Sequence, residues 1–169
     1  MVIMGIDPGL NATGFGIIQA DRMATQVVIA GDLRPPRNKP LAERLAFLHV
    51  RLTELIEHHH PESVVLEMIF THHQYVATAA LMAHARGVAC LTAQEHGLRI
   101  AEYPTAQVKK SLTGSGSASK EQVARMVGQW LHYRDAAWSA DATDALALAI
   151  VHAHKTSASA GVLYTEKPA

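Results

Sequence analysis

The sequence feature that most constrains the fold is a set of three apolar, strand-like runs within the first 33 residues. The runs cover residues 2–6, 13–19 and 26–33, and Asp7-Pro8-Gly9 ends the first of them with a turn signal. The connections between the runs are too short for the crossover that parallel neighbours need. The start of the chain therefore predicts an antiparallel meander of three strands.

The remainder of the chain alternates between helical and strand-like patterns. Residues 41–60 carry leucines at helical spacing, and residues 63–67 form a short apolar run that ends in Glu67. Helices are also predicted at 73–96, 104–112, 120–131 and 139–154, and a fifth strand at 98–103. This order predicts an α/β fold with a five-stranded mixed sheet, three antiparallel plus two parallel strands, and helices on both faces. It is the element order of an RNase H-like domain.

The length of 169 residues suits one domain, which we place at residues 1–155, followed by a flexible C-terminal tail at 156–169. One cysteine, Cys90, excludes a disulfide scaffold. The first residues lack the basic segment of a secretory signal. The most apolar long stretch, 75–93, is interrupted by His84 and Arg86, so we predict no membrane span. A cytoplasmic protein is expected.

Four carboxylates are predicted to meet at one end of this sheet. Asp7 and Glu67 each follow an apolar strand, and ligands bind beyond the carboxyl ends of strands in such sheets. Asp141 and Asp144 are three residues apart on the last helix, so they share one face. No Lys or Arg lies beside any of the four in sequence. Oxygen ligands alone favour Mg²⁺ or Mn²⁺, and two such ions would activate a water for phosphodiester hydrolysis.

Each acid also has a simpler interpretation when it is taken alone. Asp7 could be a turn residue, Asp141 a charge that suits a helix N-terminus, and Glu67 a solvated strand end. The combination of all four in this element order is what favours a metal site. Histidines do not favour zinc, because consecutive ones on a helix point in different directions; they are His58, His59, His60, His152 and His154.

The net charge of zero argues mildly against a nucleic-acid partner, but the distribution of charge does not. Residues 99–134 carry six Lys or Arg and two Glu, and a second basic loop lies at residues 34–39. These surfaces suit a phosphate backbone, although a solvated helix face would look the same. Candidate DNA-binding residues in the first segment are Lys109, Lys110, Lys120, Gly114 and Gly116.

Two further features of the sequence fit a nucleic-acid partner. Gly114 and Gly116 could present backbone N–H groups to a phosphate, or they could belong to a plain loop. Phe70, three residues after Glu67, could stack on an unpaired base, or it could cover the end of the strand.

Several segments resemble the RuvC family of Holliday-junction resolvases. The resemblance begins with Gly5-Ile6-Asp7-Pro8-Gly9 and Thr13-Gly14-Phe15-Gly16, and spans residues 2–154 without large gaps. Its other parts are Glu67 with Phe70, Ala85-Arg86-Gly87-Val88, Gln107-Val108-Lys109 with Gly114, Gly116, Ala118, Lys120 and Gln122-Val123, and Asp141-Ala142 with Asp144-Ala145-Leu146-Ala147.

The resemblance implies a homodimeric endonuclease, dependent on two Mg²⁺ ions with Mn²⁺ able to substitute, that nicks two opposed strands of a four-way DNA junction symmetrically. It implies 5′-phosphate products and a role in homologous recombination and DNA repair, with RuvA and RuvB as partners. The acidic tetrad would be Asp7, Glu67, Asp141 and Asp144. Lys109 and Lys120 would contact DNA, Lys120 would help to stabilise the reacting phosphate, and Phe70 would stack near the junction centre. The long helix over residues 77–88 would form much of the dimer interface.

One departure from the family pattern lies beside Phe70, where His73-Gln74 replaces the Lys-Asn pair of many relatives. A neutral histidine carries no fixed charge, so contacts at the junction centre are expected to be weaker or sensitive to pH. Three alternative functions remain: a nuclease of the same fold acting on structured RNA, a non-catalytic junction-binding protein, and an actin-like phosphotransferase. The last requires two such domains around a nucleotide, and this chain has the length of one.

Overall fold

A computed structural model describes residues 1–21, 24–68, 76–133 and 138–162 of the chain. Five strands form a single sheet: β1 Val2–Asp7, β2 Thr13–Ala20, β3 Thr25–Leu33, β4 Ser63–Glu67 and β5 Arg99–Tyr103. Five helices accompany them: α1 Leu41–His59, α2 Val76–Glu95, α3 Thr105–Thr113, α4 Lys120–Trp130 and α5 Ala140–Val162.

The sheet has the strand order β3-β2-β1-β4-β5, with β1 at its centre. β1 and β2 pair antiparallel, as do β2 and β3, whereas β1 with β4 and β4 with β5 pair parallel. The predicted mixed sheet is therefore confirmed. In the β1–β4 pair Ile6 lies opposite Leu66, so the next residues along the two strands, Asp7 and Glu67, lie at the same edge.

Helices cover both faces of the sheet, as predicted. A hydrophobic core lies on each face of the sheet. Side chains of β1 enter the two cores in alternation, because successive residues of a strand point to opposite faces. Ile3 packs with α3, α4 and α5, while Met4 packs with α1 and α2. Both side chains are completely buried.

Glycines in β1 and β2 let α5 approach the sheet much more closely than side chains would allow. A Cβ atom on Gly5 would lie 1.9 Å from the carbonyl oxygen of Ala145, and one on Gly14 would lie 2.1 Å from that of Asp141. Both separations are far inside van der Waals contact, and backbone cannot yield as a flexible side chain can. The first turns of α5 are thereby fixed against β2 and against β1, the strand that carries Asp7.

The last helix corrects one prediction. We expected it to end at residue 154, but α5 continues to Val162 and crosses the proposed domain boundary at residue 155. The segment contains no proline before Pro168, and an existing helix is easily extended. The Thr156 hydroxyl adds hydrogen bonds to the carbonyl oxygens of His152 and Ala153, at 2.9 and 3.1 Å. A flexible tail stays a prediction, and residues 163–169 lie outside the described residues.

Among the helices of the described ranges, none is both long enough and apolar enough to cross a membrane.

Candidate metal and nucleic-acid site

Asp7 lies at the carboxyl end of the central strand and is largely enclosed. Burial, and after it the charges of the other three predicted acids, raise the pKa of its carboxyl group to about 7. In order of effect these are Asp144, Glu67 and Asp141, whereas Lys120 lowers the pKa. The structure therefore brings the other three acids of the predicted tetrad within electrostatic range of Asp7.

The two acids of α5 are placed by a capped helix start. The Ser139 hydroxyl accepts a hydrogen bond from the backbone N–H of Ala142 at 3.0 Å, which makes Ser139 the N-cap of α5. The same hydroxyl donates to Asp32 Oδ1 at 2.5 Å. Since Asp32 belongs to β3, this second bond ties the beginning of α5 to the sheet.

Lys120 lies beside the tetrad although it is distant in sequence. Its Nζ atom is 3.3 Å from Asp144 Oδ2. The charge of Asp144, and then its hydrogen bond, raise the pKa of the lysine, so Lys120 remains a cation at neutral pH. Sequence alone had left the acids without a basic neighbour, and the structure supplies one.

A cleft of about 190 Å³ opens between α3, α4, α5 and the end of β4. Its polar walls are formed by Glu67, Thr105, Lys109, Lys120 and Asp144. Two predicted DNA-binding lysines thus face the same space as two predicted metal ligands. Such a cleft can place an anionic group between cations on one side and carboxylates on the other.

Glu67 is supported by two residues that sequence analysis missed. The Thr105 hydroxyl donates a hydrogen bond to Glu67 Oε1. Arg86, on α2, donates to the Glu67 backbone oxygen at 2.7 Å and also pairs with Glu102 on β5. Its side chain is only 15 % exposed, so the guanidinium fastens the ends of two parallel strands together. The Ala85-Arg86-Gly87-Val88 motif was the available signal, but it did not reveal this contact.

The residues fit a divalent cation by their chemistry. All four candidate ligands are carboxylates, the donors that Mg²⁺ and Mn²⁺ prefer. Asp7 makes no hydrogen bond or ion pair with any described residue, so its charge is offset only through the more distant Lys120. As the side chains stand, no three His, Cys, Asp or Glu of the described residues form a complete metal-binding set. A cation among these acids would relieve their mutual repulsion.

The remaining predicted DNA contacts occupy the segment between α3 and α4. Lys110 is exposed in the last turn of α3. Gly114 has a φ of 82° and ends α3, since its backbone N–H donates to the Lys110 carbonyl at 2.9 Å. A Cβ on Gly116 would lie 3.2 Å from the Ala106 carbonyl oxygen. Both glycines thus have a structural reason to be present, and their phosphate contacts stay a prediction.

Phe70 and the neighbouring His73-Gln74 fall outside the described residues. The side chains of residues 77 and 78, on the helix predicted to form the dimer interface, are also outside the description. Their roles stay predictions.

A five-stranded mixed sheet with acids at the ends of two strands and on the last helix is typical of the RNase H-like class of nucleases. Within that class, the family model for "Crossover junction endodeoxyribonuclease RuvC" matches residues 3–152. The chain belongs to the RuvC family, so the resemblance drawn from its motifs is confirmed.

Relatives and solved structures agree with this assignment. A crossover junction endodeoxyribonuclease RuvC of Halorhodospira halophila is 46 % identical over 156 residues, covering 92 % of each chain. One of Bradyrhizobium diazoefficiens is 42 % identical over 158 residues, covering 94 % of this chain and 89 % of the relative. Thermus thermophilus RuvC, solved in complex with Holliday junction substrate, has a TM-score of 0.87 and 31 % identity, covering 94 % and 96 %.

Proposed function

We propose that this protein is a Holliday-junction resolvase, a metal-dependent endonuclease that nicks two opposed strands of a four-way DNA junction symmetrically. The reaction would serve homologous recombination and DNA repair and would leave 5′-phosphate and 3′-hydroxyl ends. The observation that carries this proposal is the position of the four acids at one edge of the sheet, beside two lysines, in a chain of the RuvC family.

The tetrad would hold two Mg²⁺ ions, with Mn²⁺ able to substitute. When bound, such ions generate a water nucleophile at neutral pH and stabilise charge on the leaving oxygen. Asp7 is the strand-borne ligand with most to gain from a cation, because it is enclosed and repelled by its neighbours. Glu67 is kept in place by Thr105 and by the attachment of its backbone to Arg86.

The lysines would act on the DNA. Lys120, anchored on Asp144, can orient a non-bridging phosphate oxygen and neutralise the charge that develops on it. Lys109 faces the same cleft and can bind the adjacent backbone. Lys110, Gly114 and Gly116 extend this contact, and Phe70 would stack at the junction centre.

The proposal includes a homodimer. Two active sites related by a two-fold axis match a junction that offers two equivalent strands. α2 exposes apolar Leu81 and Leu91, which are 45 % and 56 % accessible in the single chain, and this supports its use as the dimer contact. RuvA and RuvB are the proposed protein partners, on the strength of the family alone.

The test is strand-by-strand cleavage of a labelled, mobile four-way junction in Mg²⁺, in Mn²⁺ and in EDTA. The expected result is paired nicks at symmetric positions in either metal, with none in EDTA and none in a linear duplex of the same sequence. Analysis of the cut ends should find a 5′-phosphate. Junction binding without nicks in either metal would contradict the enzymatic proposal and favour a junction-binding protein.

A second substrate distinguishes DNA from RNA. The same assay with a four-way RNA junction, and with unlabelled RNA junction as competitor, should give no cleavage and weak competition. Preferential cutting of the RNA would replace the proposed substrate while leaving the proposed chemistry intact.

A further inference from the structure

A second cleft, of about 340 Å³, reaches one acid of the tetrad, Asp141. Its lining includes Asp141, the loop over residues 9–12, and two arginines of the basic loop, Arg34 and Arg37. The lysine cleft is lined by Asp144 and Glu67 instead, and the two clefts share no residue. The acids therefore lie between two separate basic regions of the surface.

Arg34 is fixed in this cleft by Asp32. Its Nη2 atom donates to Asp32 Oδ2 at 2.6 Å, while the other oxygen of that carboxylate accepts from the Ser139 hydroxyl. Asp32 is mostly enclosed, with 12 % of its side chain exposed, whereas Arg34 is 60 % exposed. One carboxylate thus sets the position of Arg34 relative to the N-cap of α5, two residues before Asp141.

Arg34 keeps hydrogen-bonding capacity after this contact. A guanidinium has five N–H donors in a planar fork. Within the described ranges, Asp32 is the partner of the Arg34 guanidinium, so donors on its solvent side stay available. Arg37 is exposed and forms no hydrogen bond or ion pair with any described residue.

The opposite wall of the cleft is also fixed. The Thr13 hydroxyl donates to the Gly9 carbonyl at 2.7 Å. Arg44 on α1 donates to the Leu10 carbonyl at 2.8 Å and to Asn11 Oδ1 at 3.0 Å. A loop held at both ends can present a preformed surface, which reduces the ordering cost of binding.

We propose that Arg34 and Arg37 form a phosphate-binding subsite for the DNA strand on the Asp141 side of the tetrad. The inference rests on the proposed nuclease function and deepens it. The cleaved strand would cross the four acids with one flanking stretch of backbone on Lys109 and Lys120 and the other on the arginines. Arginine suits this task because its planar fork binds two phosphate oxygens at once.

The subsite also explains why Asp32 is placed beside Arg34. An acid that merely neutralised the arginine would weaken a phosphate site. Here Asp32 occupies one edge of the guanidinium and directs the remaining donors, while Arg37 supplies a full unpaired charge. The chain therefore combines one oriented arginine with one adaptable arginine.

The experiment measures the salt dependence of binding to a four-way DNA junction in EDTA, with the full-length protein. Each phosphate contact contributes about 0.9 to the slope of log K against log salt concentration. Because the proposed dimer presents each arginine twice to one junction, Arg37→Gln should reduce the slope by about 1.8, and Arg34→Gln with Arg37→Gln by about 3.6. Arg37→Lys, which keeps the charge, should restore most of the slope.

The charge-matched control for Arg37→Gln removes an arginine that lines neither cleft. Arg51 lies on the exposed side of α1, where it pairs with Glu54. Arg51→Gln should leave the slope within experimental error of the parent. Equal reductions in slope for Arg51→Gln and Arg37→Gln would show an effect of net charge alone and overturn the subsite.

Cleavage separates this inference from the proposed function itself. With Mg²⁺ the arginine variants should show a raised KM and a kcat within a few-fold of the parent, because the acids and Lys120 are untouched. A parent that nicks junctions, with arginine variants of unchanged slope and KM, would overturn the subsite alone. A parent that neither binds nor nicks a junction would overturn the proposed function and the subsite with it. Arg37→Gln breaks no hydrogen bond or ion pair within the described residues, so its result does not depend on misfolding.

Discussion

The two acids Asp7 and Asp144 have the same side chain and contrasting surroundings. Asp144 is 34 % exposed and paired with Lys120, so its charge has a partner without any metal. Asp7 is enclosed at the end of the central strand, has no hydrogen-bond partner among the described residues, and carries a pKa raised to about 7 by burial and by the other acids. We therefore expect a bound cation to stabilise the ionised carboxyl group of Asp7 more than that of Asp144. The end of β1 leaves the charge of Asp7 without a nearby partner, whereas Asp144 on α5 is already paired with Lys120.

The largest expected effect is that of Asp7→Asn on cleavage. Removing a ligand from the proposed two-metal site should cost several kcal/mol of transition-state stabilisation, or roughly a thousandfold in rate. Junction binding in EDTA should be retained, because Asp7 is not proposed to touch DNA. The measurement is single-turnover cleavage beside binding on the same junction.

Asp7→Asn cleavage at the rate of the parent would remove Asp7 from the tetrad. Asp144→Asn is the matched comparison, and it should also leave the lysine without its acidic partner. A loss of Mg²⁺-induced stabilisation in both variants, read as the change in Tm on adding the metal, would support ligation independently of activity.

The second prediction concerns the pH dependence of stability in the metal-free protein. Because the folded-state pKa of Asp7 lies above its unfolded value, the native state binds the extra proton between about pH 4 and pH 7. The contribution of Asp7 to the free energy of unfolding therefore falls as the pH rises through that window, by an amount on the order of 2–4 kcal/mol. Below about pH 4 the carboxyl group is protonated in both the folded and the unfolded state, so Asp7 does not lower the free energy of unfolding. Above about pH 7 it is ionised in both states, and the free energy of unfolding is lowered by the full amount.

Urea unfolding in EDTA at several pH values between 4 and 8 measures this effect. Asp7→Asn should flatten the fall and should be the more stable protein at pH 8. Parallel pH profiles for the parent and the variant would contradict the conclusion that Asp7 is largely enclosed and lacks a compensating partner.

The third prediction concerns Lys120, the basic partner of Asp144. Lys120→Gln should lower the cleavage rate by about a hundredfold, the usual cost of removing one group that stabilises developing charge. It should also reduce the salt dependence of junction binding. Arg51→Gln, an equal change of charge on α1, is the control and should cleave like the parent. An unchanged rate for Lys120→Gln would exclude it from the reaction.

The smallest expected effect is that of Ser139→Ala. Loss of an N-cap costs about 1 kcal/mol of stability, and here the change also deprives Asp32 of the hydroxyl bound to it. Ser111→Ala, at an exposed position in α3, should change the free energy of unfolding by less than about 0.5 kcal/mol. Equal values for the two variants would show that the cap does not anchor α5.

Local patterns predicted much of this molecule. The short connections within the first 33 residues required an antiparallel meander, and the spacing of Asp141 and Asp144 required a shared helix face. Element types followed from periodicity, because that periodicity arises from which side of each element is buried. The end of α5 was misjudged because small and polar residues continue a helix as readily as they form a tail.

Contacts between distant parts of the chain were beyond local patterns. Lys120 meets Asp144 across 24 positions, Arg86 meets the Glu67 carbonyl across 19, and Ser139 meets Asp32 across 107. No periodicity predicts which long side chain reaches which partner. The contacts of Asp144 and Ser139 depend on how closely α5 lies on Gly5 and Gly14.

The sequence by itself determined the order of the elements, the family, and the identity of the four acids, since each is written in local spacing and motif. Only the tertiary structure decided which acid is enclosed, which is paired, and where the basic loop of Arg34 and Arg37 lies relative to Asp141. The physical reason is that the electrostatic state of a carboxyl group depends on its burial and on charges a few ångströms away, and in a folded chain those neighbours come from distant segments.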